Sequence, residues 1–217
     1  MITTIVETAT SPAPRNPAPA QAAIHELIRE RWSPRAFSSA PVPHEDLAVL
    51  LEAARWAPSC MNEQPWRFVV AARRDDPEGY ARIGATLVAA NAAWALRAPV
   101  LMIVAAKTAF ARNGAPNPAA FYDAGQAMAV LTVQATALGL AVHQMGGFDA
   151  NAARLSLGIP EGYEPIAAAA LGYPGDAAQL TPELRARETA PRTRRPSAEW
   201  TYGGRWGQPL PASEPVV

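Results

Sequence analysis

Val100-Leu-Met-Ile-Val-Ala-Ala106 is a continuous apolar run bounded by Pro99. A short, unbroken run of this kind reads as a strand buried on both faces, since a half-exposed strand would alternate apolar with polar residues. Arg67–Ala72 (RFVVAA), Leu140–Gln144 and Ile166–Leu171 (IAAAAL) have the same character. Helical patterns lie between these strands. Leu47, Leu50, Leu51 and Ala54 mark one face of a helix from about His44 to Trp56, closed by Pro58. Ala81–Leu96 reads as one alanine-rich helix. Tyr122–Leu138 reads as a long apolar helix with Gly139 just past its end. Asp149 is placed to cap a helix running to Leu157. Upstream, Ala23, Ile24, Leu27 and Ile28 predict a helix from Gln21 that stops before Ser33-Pro34. Apolar strands alternating with helices predict a sheet covered by helices on both faces.

The chain has 217 residues, 49% of them hydrophobic, enough for one compact core with an arm or two left over. Residues 1–20 are rich in Pro, Ala and Thr and are expected to be flexible or extended; residues 21–178 form the core. From about Gly175 the chain turns proline- and arginine-rich and carries Trp200, Tyr202 and Trp206. Residues 179–217 therefore read as an extended arm packing on a neighbouring subunit. The formal charge is +0, so nothing global draws the chain to nucleic acid or anionic lipid. The single cysteine, Cys60, allows neither an intramolecular disulfide nor a four-cysteine cluster. His25, His44 and His143 lie far apart, and no metal site is expected. No apolar run reaches the ~18 residues of a membrane span, and no basic-then-apolar leader opens the chain, so a cytoplasmic location is expected. The glycine fingerprints of dinucleotide and P-loop sites are absent, as is G-x-S-x-G.

Four segments carry chemistry. In Arg31-Trp32-Ser33-Pro34-Arg35, proline favours an extended backbone, so Arg31, Ser33 and Arg35 face one way. Two guanidinium forks and a hydroxyl suit a phosphate, although the segment alone reads equally as a solvated loop. Arg192 and Arg194 alternate in the same manner between Pro191 and Pro196; alone they read as a solvated tail, but one phosphate would join the two clusters. Pro58-Ser59-Cys60-Met61-Asn62-Glu63-Gln64 is a polar loop between a helix and a core strand, with Asn62 and Gln64 amides able to donate and accept. Met145-Gly146-Gly147 sits at a strand-to-helix junction, where glycines admit a flat ligand against the backbone or simply allow a tight turn.

Taken in order, these segments resemble the FMN-dependent nitroreductase family over residues 24–200. The matching stretches are Arg31–Phe37, Leu50–Ser59 with Asn62–Trp66, Asn91 ahead of Ala98-Pro99, Tyr122–Gly125, Gly146–Asp149, Gly158–Gly162 and Leu171–Pro174. The resemblance implies an α+β fold, a three-layer α/β/α sandwich with a central mixed sheet, in a domain-wrapped homodimer that binds FMN at its interface. It implies that Arg31, Trp32, Ser33 and Arg35, with Arg192 and Arg194, hold the flavin phosphate. It places Pro58, Ser59 and Cys60 against the ring from the partner subunit, with Asn62 and Gln64 nearby. Asn91 is expected at the pyrimidine edge, and the backbone of Met145, Gly146 and Gly147 at flavin N5. Trp94 is a departure, standing where some relatives carry a lysine beside flavin N1 and O2; Cys60 replaces a residue that is often serine.

The implied activity is hydride transfer from NADH or NADPH, through flavin N5, to small electron-poor acceptors such as nitroaromatics, quinones, flavins or enals, in a ping-pong cycle. No side chain is required as general acid or base, in keeping with the lack of a triad or paired carboxylates. Acceptor choice is expected to depend on a lid near residues 108–120. The alternatives are a specialised relative (a dehalogenase, heterocycle dehydrogenase or flavin-fragmenting enzyme) or a non-catalytic FMN-binding protein. A nucleic-acid role for Arg185–Arg195 is disfavoured by the neutral charge.

Overall fold

The apolar runs of the sequence form one four-stranded sheet in the computed structural model, which describes residues 14–210. Its strands are β1 (Trp66–Ala72), β2 (Val100–Lys107), β3 (Ala141–Met145) and β4 (Tyr163–Gly172), in the order β1-β2-β4-β3. Every neighbouring pair is antiparallel, with Trp66 opposite Ala106, Val100 opposite Leu171, and Ala141 opposite Gly172. The four strands of one chain thus make an antiparallel sheet where a mixed one was expected, because β4 inserts between the parallel strands β2 and β3 and runs opposite to both.

Residues of β2 alternate between two cores. Leu101, Ile103 and Ala105 join Ala168 and Ala170 beneath Tyr80, Ile83, Trp94 and Ala153. Val100, Met102, Val104 and Ala106 join Ala169 and Leu171 beneath Leu50, Ala54, Ala127, Met128 and Leu131. The first core is covered by α3 (Pro77–Ala85), α4 (Ala89–Ala95) and α6 (Ala150–Leu157), the second by α2 (His44–Arg55) and α5 (Ala120–Ala137). This is the three-layer α+β sandwich. The small side chains of Ala167–Ala170 bring the covering layers close to the sheet.

Three boundaries differ from the expectation. The single helix over 81–96 is two, because Thr86 ends α3 with its hydroxyl donating to Ile83 O (2.7 Å) and Leu87 then bridges to Phe148. The first of the two starts earlier, with Asp76 accepting from Gly79 N (2.8 Å) and Pro77 in the first turn. The first helix among the described residues, α1, spans only Glu26–Glu30, and Ile24 and Ile28 remain exposed. With no core beneath that apolar face, nothing supports extension back to Gln21. After β4, a helix not foreseen from the sequence, α7 (Pro182–Thr189), is capped by Thr181 and buries Glu188. Residues 1–13 of the segment expected to be flexible or extended, and 211–217 of the expected arm, lie outside the described residues.

Ile103 lies in the central strand with no exposed surface. Ile103→Ala should cost about 2–5 kcal/mol of stability, read from denaturant titration. A loss below about 0.5 kcal/mol, the scale of surface changes, would mean that the β2 core is not tightly packed.

Candidate functional site

The Arg31–Arg35 segment leaves α1 and lies across β3, where Pro34 O is 2.8 Å from His143 Nδ1. A carbonyl only accepts, so Nδ1 carries the proton. Burial is the chief reason that the His143 ring is pushed down to about 4, which keeps it neutral at pH 7. Trp94 packs on the same ring with centroids 4.4 Å apart and stacks on Phe37 at 6.4 Å. Trp94, noted above for standing in place of a lysine, is therefore turned into the core, and its role is to support the segment from below.

Glu188 fixes the segment from the other side. Its buried carboxylate accepts from Arg35 N (2.9 Å) and Ala36 N (3.0 Å). Asn16 Nδ2 donates to the Glu188 and Ala190 carbonyls, and the Arg192 guanidinium donates to Asn16 O (2.9 Å) and Arg29 O (3.1 Å). The two arginine clusters of the sequence thus meet. Arg31, Ser33, Arg35, Arg187, Arg192 and Arg194 share a cavity of about 210 Å³. Arg31 is held below its ordinary value by burial, then by Arg192 and Arg194. Arg35 is lowered by burial and Arg187, against the opposing effect of Glu188. Arg192 is lowered by burial and Arg194. Guanidiniums this crowded favour a bound anion, and their fork geometry suits a phosphate. Arg187 and Glu188 escaped the sequence reading; only the docking of α7 brings them here.

The glycine turn follows β3. Asn91 Nδ2 (2.9 Å) and Val88 N (3.1 Å) both donate to Gly147 O. A Cβ on Gly147 would lie 2.6 Å from Asn91 Nδ2, so close approach requires glycine there. A Cβ on Gly146 would meet nothing within 4 Å, so the backbone at Gly146 faces open space. Met145 is buried, which leaves only its main chain for a ligand.

The Pro58–Gln64 loop is elsewhere. It leads into β1, the edge strand opposite β3, about 14 Å away across three strand spacings. Cys60 N donates to the buried Asp123 Oδ2 (3.0 Å), and Gln64 N donates to Ser59 Oγ (3.1 Å). Met61, Asn62 and Gln64 have φ of 54°, 55° and 50°, left-handed values that cost non-glycine residues roughly 1–2 kcal/mol each. Gln64 Nε2 donates to Asn62 Oδ1 (3.0 Å), so the two amides are partly occupied with each other. One chain therefore gathers Arg31, Trp32, Ser33, Arg35, Arg192 and Arg194 in one place, carries Asn91 and Met145–Gly147 at the end of the β3 edge, and leaves Pro58, Ser59, Cys60, Asn62 and Gln64 at the other edge.

Residues 28–173 match the model of the nitroreductase family. A structure described as an oxidoreductase containing FMN superposes with a TM-score of 0.82 at 36% identity, covering 88% of this chain and 96% of that one. The "Putative NADH dehydrogenase/NAD(P)H nitroreductase" of Xanthomonas oryzae pv. oryzae is 33% identical over 59% of this chain and 73% of its own length. The "Uncharacterized 15.4 kDa protein in ask 5'region" of Mycolicibacterium smegmatis is 41% identical over 41% of this chain, a match that spans 59% of that protein.

The neutral His143 supplies a pH test. The unfolded ring takes up a proton near 6.5 and the folded one only near 4. Its contribution is therefore full above pH 6.5 and fades as pH falls toward 4, by on the order of 3 kcal/mol. Urea titrations at pH 7 and 4.5 should show a smaller acid loss for His143→Gln than for the parent. Equal losses would locate the acid sensitivity in other groups.

Proposed function

Because the chain belongs to the nitroreductase family, we propose that it is an FMN-dependent oxidoreductase that takes reducing equivalents from NADH or NADPH and passes them to small electron-poor acceptors. The observation that carries this reading is the crowded arginine cavity built around Arg31, Arg35 and Arg192, with the open backbone of Gly146 ending the strand that supports it. Five guanidiniums surround that cavity, and the Glu188 carboxylate is engaged by two backbone N–H groups, so a phosphate dianion is well matched.

Arg31 and Arg35, with Ser33 and Trp32 between them, hold the flavin phosphate together with Arg192 and Arg194, and Arg187 adds a further cation. Glu188 and His143 keep that segment extended, so the forks are arranged before the ligand arrives. Asn91 fixes the Gly147 carbonyl and leaves its own Oδ1 for the ring edge. The absence of a side chain at Gly146 would let a flat ring lie against the main chain, where the turn at Met145–Gly147 would hold it. When bound, FMN would supply the two-electron chemistry of a ping-pong cycle between NAD(P)H and nitroaromatics, quinones, flavins or enals.

The site is completed by a second copy. Pro58, Ser59, Cys60, Asn62 and Gln64 sit at the far sheet edge, beside exposed Trp56 (74%), Phe121 (52%) and Tyr122 (73%). A homodimer that buries these aromatic rings brings that loop to the partner's flavin. The described part of the expected arm, residues 179–210, would pack on the partner, with Trp200 and Trp206 exposed for that contact. Among the described residues no helix is long and apolar enough to cross a membrane; the cytoplasm is the proposed location.

The purified protein should show a flavin spectrum that bleaches when NADH or NADPH is added without oxygen. A colourless protein that cannot be reconstituted with FMN would overturn the reading, and a bound flavin that stays oxidised would favour a non-catalytic role. Arg31→Ala should weaken FMN binding by roughly 10–100-fold, the scale of a lost charge-assisted hydrogen bond. Quenching of flavin fluorescence measures it, and unchanged affinity would remove Arg31 from the cradle.

A further inference from the structure

Glu63 lies among the strained residues of the 58–64 loop, yet its own φ is −68° and its side chain turns inward, with 9% of its surface exposed. Its Oε1 accepts from Ala111 N at 2.7 Å and faces Lys107 Nζ, on the only lysine of the chain, at 3.5 Å. Ala111 belongs to the loop after β2. The base of that loop is tied by the main chain, Thr108 N donating to Gly162 O (3.0 Å) and Asn117 N to Thr108 O (2.7 Å). Above the base the loop folds on itself, Phe110 N donating to Ala115 O (2.8 Å) and Gly114 N to Phe110 O (2.9 Å), and its tip at residues 111–114 is exposed. Among the described residues, the Ala111–Glu63 hydrogen bond is the one that leaves residues 109–116 for another part of the chain.

We propose that Glu63 is a positioning residue that locks the 108–117 lid to the 58–64 loop, so that both elements present one fixed wall to the acceptor. A carboxylate accepting a backbone N–H is a strong contact, and this one is shielded from water and balanced by Lys107. The neighbours Asn62 and Gln64 are set by the same turn, and the hydrogen bonds to Ser59 and Asp123 prevent its relaxation. The lid therefore inherits its place from a loop whose geometry is already determined. Resting on the reading above, this wall belongs to the flavin of the partner subunit: each chain shapes the acceptor pocket of the other.

The test uses the flavin-loaded protein with Glu63→Ala and Glu63→Gln. Amide exchange at Ala111, followed by NMR, should accelerate roughly tenfold or more in E63A and stay near the parent rate in E63Q, whose amide oxygen still accepts from Ala111 N. In turnover, E63A should raise KM for a small nitroaromatic with kcat and flavin content little changed, and E63Q should restore KM. Unchanged Ala111 exchange in E63A overturns the lock, as does an E63Q protein as labile as E63A. If E63A does not fold, Glu63→Leu of similar size takes its place with the same expected exchange. A parent protein that takes up no flavin would overturn the proposed function, and the exchange rates would still decide the lock.

Discussion

A strand with no exposed side chain from Val100 to Ala106 must be paired on both edges and covered on both faces. That requirement organises the rest of the molecule. β1 and β4 satisfy its backbone groups, and α3, α4 and α6 on one side and α2 and α5 on the other remove its side chains from water. The remaining edges, β1 and β3, then become the places where loops and turns can carry chemistry. The arginine segment lies over β3 and the Pro58–Gln64 loop opens into β1.

The charge arrangement at the β3 edge runs against ordinary folding economy. Arg31, Arg35 and Arg192 are partly buried beside other guanidiniums, and burial together with mutual repulsion lowers each of them. Glu188 opposes this at Arg35 and Glu30 at Arg192, but neither reverses it, and the Glu188 carboxylate accepts chiefly from the backbone N–H groups of Arg35 and Ala36. The arginine segment is held in place by the Glu188 carboxylate at its backbone, by the neutral His143 ring with Trp94 beneath it, and by the hydrogen bonds of Asn16. A site that is rigid and electrostatically unsatisfied is one prepared for an anion.

Backbone strain marks the other edge. Three left-handed residues in one short loop persist only where neighbours over-determine them, and Ser59, Asp123 and the helix end at Trp56 do so. Glu63 extends that rigidity to the 108–117 loop. Trp94 shows how a local departure from a familiar pattern is absorbed: the position lacks a cation and contributes packing.

The layers, most strands and the long helices were legible in the sequence, because burial writes itself as apolar periodicity. The Arg31–Arg35 and Arg192–Arg194 clusters were legible too, since proline-enforced extension makes alternate residues face together. The break at Thr86–Val88 was not, because alanine-rich periodicity continues through it and only the bridge to Phe148 interrupts the helix. Nor was the short α1, whose apolar face lacks a core. By itself the sequence determined which segments are buried and which residue types are available for a phosphate. Tertiary structure alone decided that Arg187 and Glu188 join the arginine cavity, that Trp94 points inward, and that Pro58–Gln64 lies at the opposite sheet edge. Each of these depends on contacts between residues distant along the chain, which local periodicity does not encode.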